Sequence, residues 1–324
     1  MEEYDFIMAG GGLAGLSLAH QLVNGTFANS RILILDIDSK GENDRTWCFW
    51  AADTVPFDAA VSHRWRSVAF RSDAFSKVFA IDPYEYRMVR GIDFYNLVLD
   101  DLESRSNIEF RTERVTAIKE NDDHAEVVTE SATYVATWVF DSRFLPEEYG
   151  MPVDEEAGSA SHHYLMQHFL GWEIETEQPS FDPETVTLFD FRTPQENEMR
   201  FMYTLPFSER RALVEFTLFS ANLLTDEEYV VALERYLNEV LSLKSYRVVD
   251  REKGVIPMTD QPFPRRGGRR VLNTGTRGGR VKPSTGYAFH RIQRDTLAIV
   301  RSLNQAGHPF RIQRTPRGFP TLDP

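Results

Sequence analysis

A single cysteine, Cys48, is present in 324 residues. One thiol excludes an internal disulfide framework and fits a reducing compartment. Long apolar runs are missing too, and none approaches the ~18 residues that cross a bilayer. The eight His residues show no HxxxH-type spacing, so no metal site of that kind is expected. Positive charge is in deficit, with 36 Lys and Arg against 49 Asp and Glu and a net charge of −13. That balance argues against a general nucleic-acid binder. No charged-then-apolar leader precedes the first strand pattern, which starts almost at Met1, and no internal repeat is visible. The length suggests roughly two domains with a sizeable core.

The charge deficit is uneven. From Pro262 onward there are 13 Lys and Arg against 2 Asp. Such a basic end either touches phosphates, of a cofactor or an anionic membrane, or is a solvated charge block.

What is present begins with Tyr4-Asp5-Phe6-Ile7-Met8-Ala9, a strand pattern, followed by Gly10-Gly11-Gly12 and the helical run from Leu13. Gly10, Gly12 and Gly15 occupy the three glycine positions of the dinucleotide fingerprint. The first allows a tight turn, the second a close approach of pyrophosphate, and the third close packing of helix on sheet. Ala14 lies between the last two, at the helix start. A second strand, Arg31 to Leu35, ends in Asp36 about 20 residues on, where an acid binds ribose hydroxyls. A GxGxxG framed in this way is specific. The chain is expected to bind a dinucleotide.

The order of the remaining segments favours a flavin-type nucleotide domain. Phe94, Leu97, Val98 and Leu102 have helical spacing over Asp93–Leu102. Strand-like runs follow at Ile108–Ile118 and Ala125–Thr129, and Tyr134–Phe140 returns to Asp141-Ser142-Arg143. From about Glu147 longer antiparallel-looking strands appear: Tyr164–Trp172, Thr185–Phe191, Arg200–Leu205 and Arg211–Phe219. Asp226–Leu243 then reads as an amphipathic helix. Val271 to Gly279 reads as a strand running into a glycine-rich helix start whose amides offer a second diphosphate contact. The expected fold class is α/β: an FAD-binding Rossmann-like domain with an inserted antiparallel-sheet substrate domain. The expected divisions are 1–146 for the first part of the FAD-binding domain and 147–252 for the insert. Residues 253–307 return to the FAD-binding domain, and 308–324 form an irregular end. A second nucleotide fingerprint is missing, so a bound flavin would be reduced from outside or by a transiently docked nicotinamide.

Two features carry chemistry. Ala212 to Phe219 is apolar on both faces, with Leu213, Glu215, Thr217 and Phe219 on one and Val214, Phe216 and Leu218 on the other. A carboxyl there is desolvated, which lifts its pKa toward the working pH and suits a general acid. The alternative is a Glu215 neutralised by a buried Arg200 or Arg211. Asp190 is a second, weaker acid inside a strand. The aromatics Trp47, Phe49 and Trp50 form core, line a site for a long apolar ligand, or hold a positive charge.

Several of these segments together resemble the flavin-dependent lycopene cyclases of bacteria, related to those of plants. The resemblance runs from Asp5 to about Ile292. Its first pieces are Asn43-Asp44-Arg45-Thr46-Trp47-Cys48-Phe49-Trp50, Val139-Phe140-Asp141-Ser142-Arg143 and Gln167-His168-Phe169-Leu170-Gly171-Trp172. The others are Leu213 to Ser220, Gly254-Val255-Ile256-Pro257-Met258-Thr259 and Lys282 to Phe289. It implies acid-catalysed, redox-neutral cyclisation of the ψ end groups of lycopene to β-ionone rings, with Glu215 as proton donor. Plant relatives carry two adjacent acids before the threonine; aligned on Thr217 the second is Phe216 here, so Glu215 alone inherits the role. The implied cofactor is reduced FAD, with NAD(P)H as external reductant. The implied FAD contacts are Gly10, Gly12, Ala14, Gly15, Asp36, Arg45, Asp141, Gly275, Gly278 and Gly279. Trp47, Phe49 and Trp50 would contact the carotenoid. A cytoplasmic, membrane-peripheral location follows from so insoluble a substrate.

Two departures stand out. Thr274 and Arg277 replace the aliphatic and small residues usual beside the diphosphate, and relatives continue beyond the Ser284-Thr285-Gly286-Tyr287 motif with further helices. An inactive, truncated flavoprotein is therefore one alternative. A monooxygenase or polyprenyl reductase of the same fold is the other.

Overall fold

The computed structural model describes residues 2–144 and 163–312. In chain order β1 (Glu2–Ala9), α1 (Leu13–Val23), β2 (Ile32–Asp36), β3 (Thr46–Ala51), β4 (Val61–Trp65), β5 (Ser67–Ser72), β6 (Phe75–Ala80) and β7 (Glu85–Arg90) come first. Next are α2 (Gly91–Glu103), β8 (Ile108–Thr112), β9 (Val115–Glu120), β10 (Ala125–Thr129) and β11 (Thr133–Asp141). The rest are β12 (Tyr164–Thr176), β13 (Thr185–Asp190), β14 (Met199–Pro206), β15 (Arg211–Ser220), α3 (Asp226–Arg235), β16 (Tyr246–Thr259), β17 (Val271–Asn273) and α4 (Phe289–Ala306).

The first sheet has the order β8-β2-β1-β11-β10-β9, and β17 joins the C-terminal half of β11. β8, β2, β1, β11 and β17 are parallel. Parallel strands are covered on both faces, so they read as continuous apolar runs. Ile32 to Leu35 is such a run, and all four residues are buried. α1, α2 and α4 pack on one side of this sheet, where Leu16, Leu22, Phe94, Val98, Phe289 and Ile299 share a core. The helix read over Asp93–Leu102 is α2; Phe94, Val98 and Leu102 are buried while Leu97 is exposed.

The second sheet has the order β16-β12-β15-β14-β13-β5-β6 and is antiparallel except between β13 and β5. α3 covers one face. Val214, Phe216 and Leu218 of β15 meet Tyr229, Leu233 and Leu237 there. A Thr225–Glu228 capping box starts α3, each side chain satisfying the other's backbone amide. The opposite face, which carries Leu213, Glu215 and Thr217, meets a three-stranded sheet of order β3-β7-β4. Sheet membership crosses the divisions drawn from sequence. β5 and β6, within 1–146, belong to the second sheet, and β16 runs through 252/253. The 146/147 division and residues 313–324 of the tail lie outside the described residues.

Candidate functional site

The glycine fingerprint sits at the C-terminal ends of β1, β11 and β17. Gly10 has φ +114°, and a Cβ there would lie 2.2 Å from Ser142 Oγ. At Gly15 a Cβ would lie 1.9 Å from the Gly10 carbonyl, so only glycine lets α1 lie this close to its own turn. Gly12 differs: nothing lies within 4 Å of a Cβ built on it. α1 begins there without a side-chain cap and without an acid in its first turn. Unshared amides facing open space fit an anionic diphosphate. Gly275, with φ +57°, closes the far side; its Cβ would lie 3.0 Å from Ala14 Cβ.

Other residues proposed for the cofactor are already engaged. Asp36 accepts from the Gly11 amide at 2.6 Å and pairs with Lys40 Nζ at 3.1 Å. Asp141 is buried and holds Arg143 at 2.9 Å and Arg277 at 3.1 Å, so it organises the turn rather than presenting a free carboxylate. The Gly275–Gly279 segment is a turn, not the expected helix start. The Gly278 amide donates to Thr274 O at 2.9 Å and the Gly279 amide to Thr276 O at 2.9 Å, which withdraws both from a diphosphate. Arg45 is exposed and donates to the Asp44 carbonyl at 2.8 Å.

β3 separates the two cores. Trp47 and Phe49 point to the nucleotide side, where Phe49 stacks on Phe289 at 4.6 Å and Trp47 meets Phe94, Tyr95 and Phe289. Thr46, Cys48 and Trp50 alternate to the opposite face. Of the three aromatics proposed to contact substrate, the structure brings only Trp50 to the second sheet, 4.9 Å from Tyr86.

Glu215 lies on that side, 7% exposed. Neither arginine proposed as its partner reaches it. Arg200 pairs with Glu196 and Glu198, and Arg211 pairs with Glu173. Thr217 Oγ1 donates to Glu215 Oε1 at 2.5 Å. The group closest in kind is a second carboxyl, Glu252 of β16, which hydrogen-bonds Glu215 and accepts from Thr46 Oγ1 at 2.6 Å. Burial first, then the Glu252 charge, pushes Glu215 well above the usual carboxylate range. Burial raises Glu252 too, while the Thr46 hydroxyl pulls the other way. Asp190 is removed as an acid: Arg192 at 2.6 Å and Tyr236 at 2.7 Å hold its carboxylate, and these bonds outweigh burial and lower its pKa.

Around the acid pair the residues are aromatic. Tyr203 lies directly across from Glu215 on β14, and Tyr86 bonds the hydroxyls of both Tyr203 (2.6 Å) and Tyr287 (3.0 Å). Burial pushes the Cys48 thiol beside them up to about 12. Further along the same face Phe219, Phe201, Phe191, Phe189 and Phe70 form a row of ring contacts 5.4–6.1 Å apart. It ends at a cleft of about 250 Å³ lined by Phe70, Phe75, Phe79 and Phe191. Sequence reading missed Glu252 and Thr46. Thr46 stood in a quoted motif, but its partner is 206 positions away; Glu252 was hidden in the charged run Asp250–Lys253.

A family model described as lycopene cyclase protein matches residues 5–320. The chain belongs to the lycopene cyclase family. It is 30% identical over 149 residues to a lycopene beta-cyclase of a Paracoccus strain, covering 44% of this chain and 38% of that protein. It is 24% identical over 324 residues to the chloroplastic neoxanthin synthase of Solanum lycopersicum, covering 94% of this chain and 60% of the relative. The chain thus spans less than two thirds of the length of these relatives. Among solved structures, a geranylgeranyl bacteriochlorophyll reductase-like protein of Thermoplasma acidophilum superposes with TM-score 0.68 at 14% identity, covering 94% of this chain and 79% of that one. A p-nitrophenol 4-monooxygenase of Pseudomonas putida does so with 0.63 at 16%, covering 94% and 80%. The fold is therefore that of FAD-dependent oxidoreductases and monooxygenases. No helix among the described residues is long and apolar enough to cross a membrane.

Proposed function

We propose that this chain is a lycopene β-cyclase, converting ψ end groups to β-ionone rings without net redox change. The observation that carries the reading is Glu215, a carboxyl buried on an aromatic-lined sheet face, where burial raises its pKa well above the usual carboxylate range. A buried acid with a raised pKa suits transfer of a proton to a carbon–carbon double bond. Glu215 gives its proton to the terminal alkene, the next double bond attacks the resulting tertiary cation, and loss of a ring proton restores the alkene. The phenylalanine row from Phe219 to Phe70 offers an apolar bed for a polyene, and Tyr203 and Trp50 wall the reacting end. Gly12, the N-terminus of α1, Gly275 and Ala14 would hold FAD. Reduced flavin, when bound, supplies negative charge toward the developing cation. NAD(P)H is the proposed external reductant, and a bilayer surface the proposed source of substrate.

Expression in lycopene-accumulating cells, with pigments read by chromatography and mass, tests this. Products of unchanged mass with cyclic ends are expected from the wild type and none from Glu215→Gln. A product that gained oxygen or hydrogen would replace the cyclase by a monooxygenase or reductase, the activities named for the solved neighbours. Co-sedimentation with vesicles tests the membrane proposal: binding should rise with anionic lipid and fall with salt.

A further inference from the structure

Glu215 and Glu252 approach one another from strands that are not neighbours. β12 runs between them, and Gly171 of β12 is the register partner of both. A Cβ on Gly171 would lie 3.0 Å from Glu252 Cγ, so the missing side chain is the space through which Glu252 leans toward Glu215. A hydrogen bond between two carboxyls needs a proton on one of them. Two like charges side by side inside a protein resist joint ionisation.

Their surroundings differ. Glu215 is enclosed and bonded to Thr217. Glu252 is only partly covered and lines a cleft of about 20 Å³ with Asn43, Thr46, Arg90 and Asp250. A space of that size holds one water. Each carboxyl accepts one hydroxyl, Glu215 from Thr217 and Glu252 from Thr46, so the fuller burial of Glu215 is what leaves the proton there.

We propose that Glu215 and Glu252 hold one proton between them, and that Glu252, through the cleft it lines, is the route by which this proton exchanges with solvent. The purpose of such a pair rests on the cyclase reading. There, one C–H bond forms at the protonated alkene and one breaks as the ring alkene forms, so the pair regains what it gave. Glu252 is a positioning residue that acts through Glu215. Other groups face the pair from every side. Asp250 on β16 and Glu173 on β12 push Glu252 upward, and Arg90 and Arg251 lie on the cleft wall. Cys48 on β3, Tyr86 on β7, Tyr203 on β14 and Tyr287 before α4 are all raised by burial and keep their protons at neutral pH.

Infrared spectra of the purified protein in H2O and D2O, taken against pH without lycopene, test the proposal. The wild type should show a protonated-carboxyl band at pH 7 that Glu215→Gln removes. Glu252→Gln should lower the band's titration midpoint by at least about one pH unit, because the opposing charge is gone. It should also slow H/D exchange of the band at least tenfold. Thr46→Val keeps both carboxyls and should raise the midpoint, which decides the question if Glu252→Gln does not fold. No protonated carboxyl at pH 7, or a midpoint and exchange rate that ignore both substitutions, would overturn the pair. Pigment assays fail separately: no cyclic product from a wild type with the expected bands sinks the cyclase reading alone. Cyclisation with bands indifferent to both substitutions sinks the pair alone.

Discussion

Gly171 stands opposite Glu252 with so little room that a methyl group would touch the Glu252 side chain at 3.0 Å and Leu213 Cδ1 at 3.0 Å. The site's two carboxyls therefore depend on a residue that has no side chain. Gly171→Ala should push Glu252 and Leu213 outward and destabilise the protein by about 1–3 kcal/mol, as overpacking does. Chemical denaturation measures this. A fully stable Gly171→Ala protein with an unshifted carboxyl titration would mean that the pair does not need this gap.

The fingerprint glycines separate folding from binding. Gly12→Val adds a side chain where the protein itself has nothing within 4 Å, so the apoprotein should keep its melting temperature. The added methyls fill the space proposed for the diphosphate, and flavin absorbance should fall to near zero after gel filtration. Gly15→Val should do the opposite, failing to fold because its Cβ would overlap the Gly10 carbonyl at 1.9 Å. Stoichiometric FAD in Gly12→Val would refute the cradle.

The aromatic strand β3 offers a similar contrast. Phe49 is 2% exposed and stacked on Phe289, so Phe49→Ala should cost about 3–5 kcal/mol in stability. Trp50 sits against Tyr86 on the acid side and is partly exposed. Trp50→Ala should cost less stability and more turnover. Denaturation midpoints measured beside pigment yields check both. Equal losses of stability and activity in the two variants would deny Trp50 a separate role.

What sequence made legible here was local. The period of two in β15 placed Glu215 on a single face before any neighbour was known, and the 3.6 period did the same for α2. Contacts set by register between distant strands were not legible. Nothing in Asp250-Arg251-Glu252-Lys253 distinguishes an acid that turns inward from three charges that stay outside, because the choice depends on Gly171, on the strand between Glu252 and Glu215. The same limit applies to Trp47 and Phe49, since alternation alone cannot say which side of a shared strand faces the second sheet. The turn at Gly275–Gly279 was misread as a helix start because glycine permits both conformations, and backbone bonds within the segment decide between them. Asp36 matched its motif, yet Lys40 four residues on already holds its carboxylate.

The acid pair also sets how stability varies with pH. The folded-state pKa values of Glu215 and Glu252 are raised above those of the unfolded chain. Their contribution is therefore fully present below the unfolded value of about 4.3 and is lost as pH rises through the folded values. Each group still protonated only in the folded state removes up to about 1.4 kcal/mol per pH unit across that window. The wild-type melting temperature should fall steadily from mildly acid to mildly alkaline pH. Asp190 works in the other direction, its lowered pKa withdrawing stability only as pH falls below the unfolded Asp value. Glu215→Gln keeps a hydrogen-bond donor for Glu252 but has no proton to lose, so its decline above neutrality should be shallower than that of the wild type. It should bind FAD, melt no lower than the wild type at pH 8, and leave lycopene uncyclised. Glu215→Asp should retain a little activity, since the acid remains but is withdrawn by one methylene. A buried ion pair with an arginine would behave otherwise: Gln would strand the cation and cost several kcal/mol at every pH. A Glu215→Gln protein that is stable, flavin-loaded and as active as the wild type would end the proton-donor role.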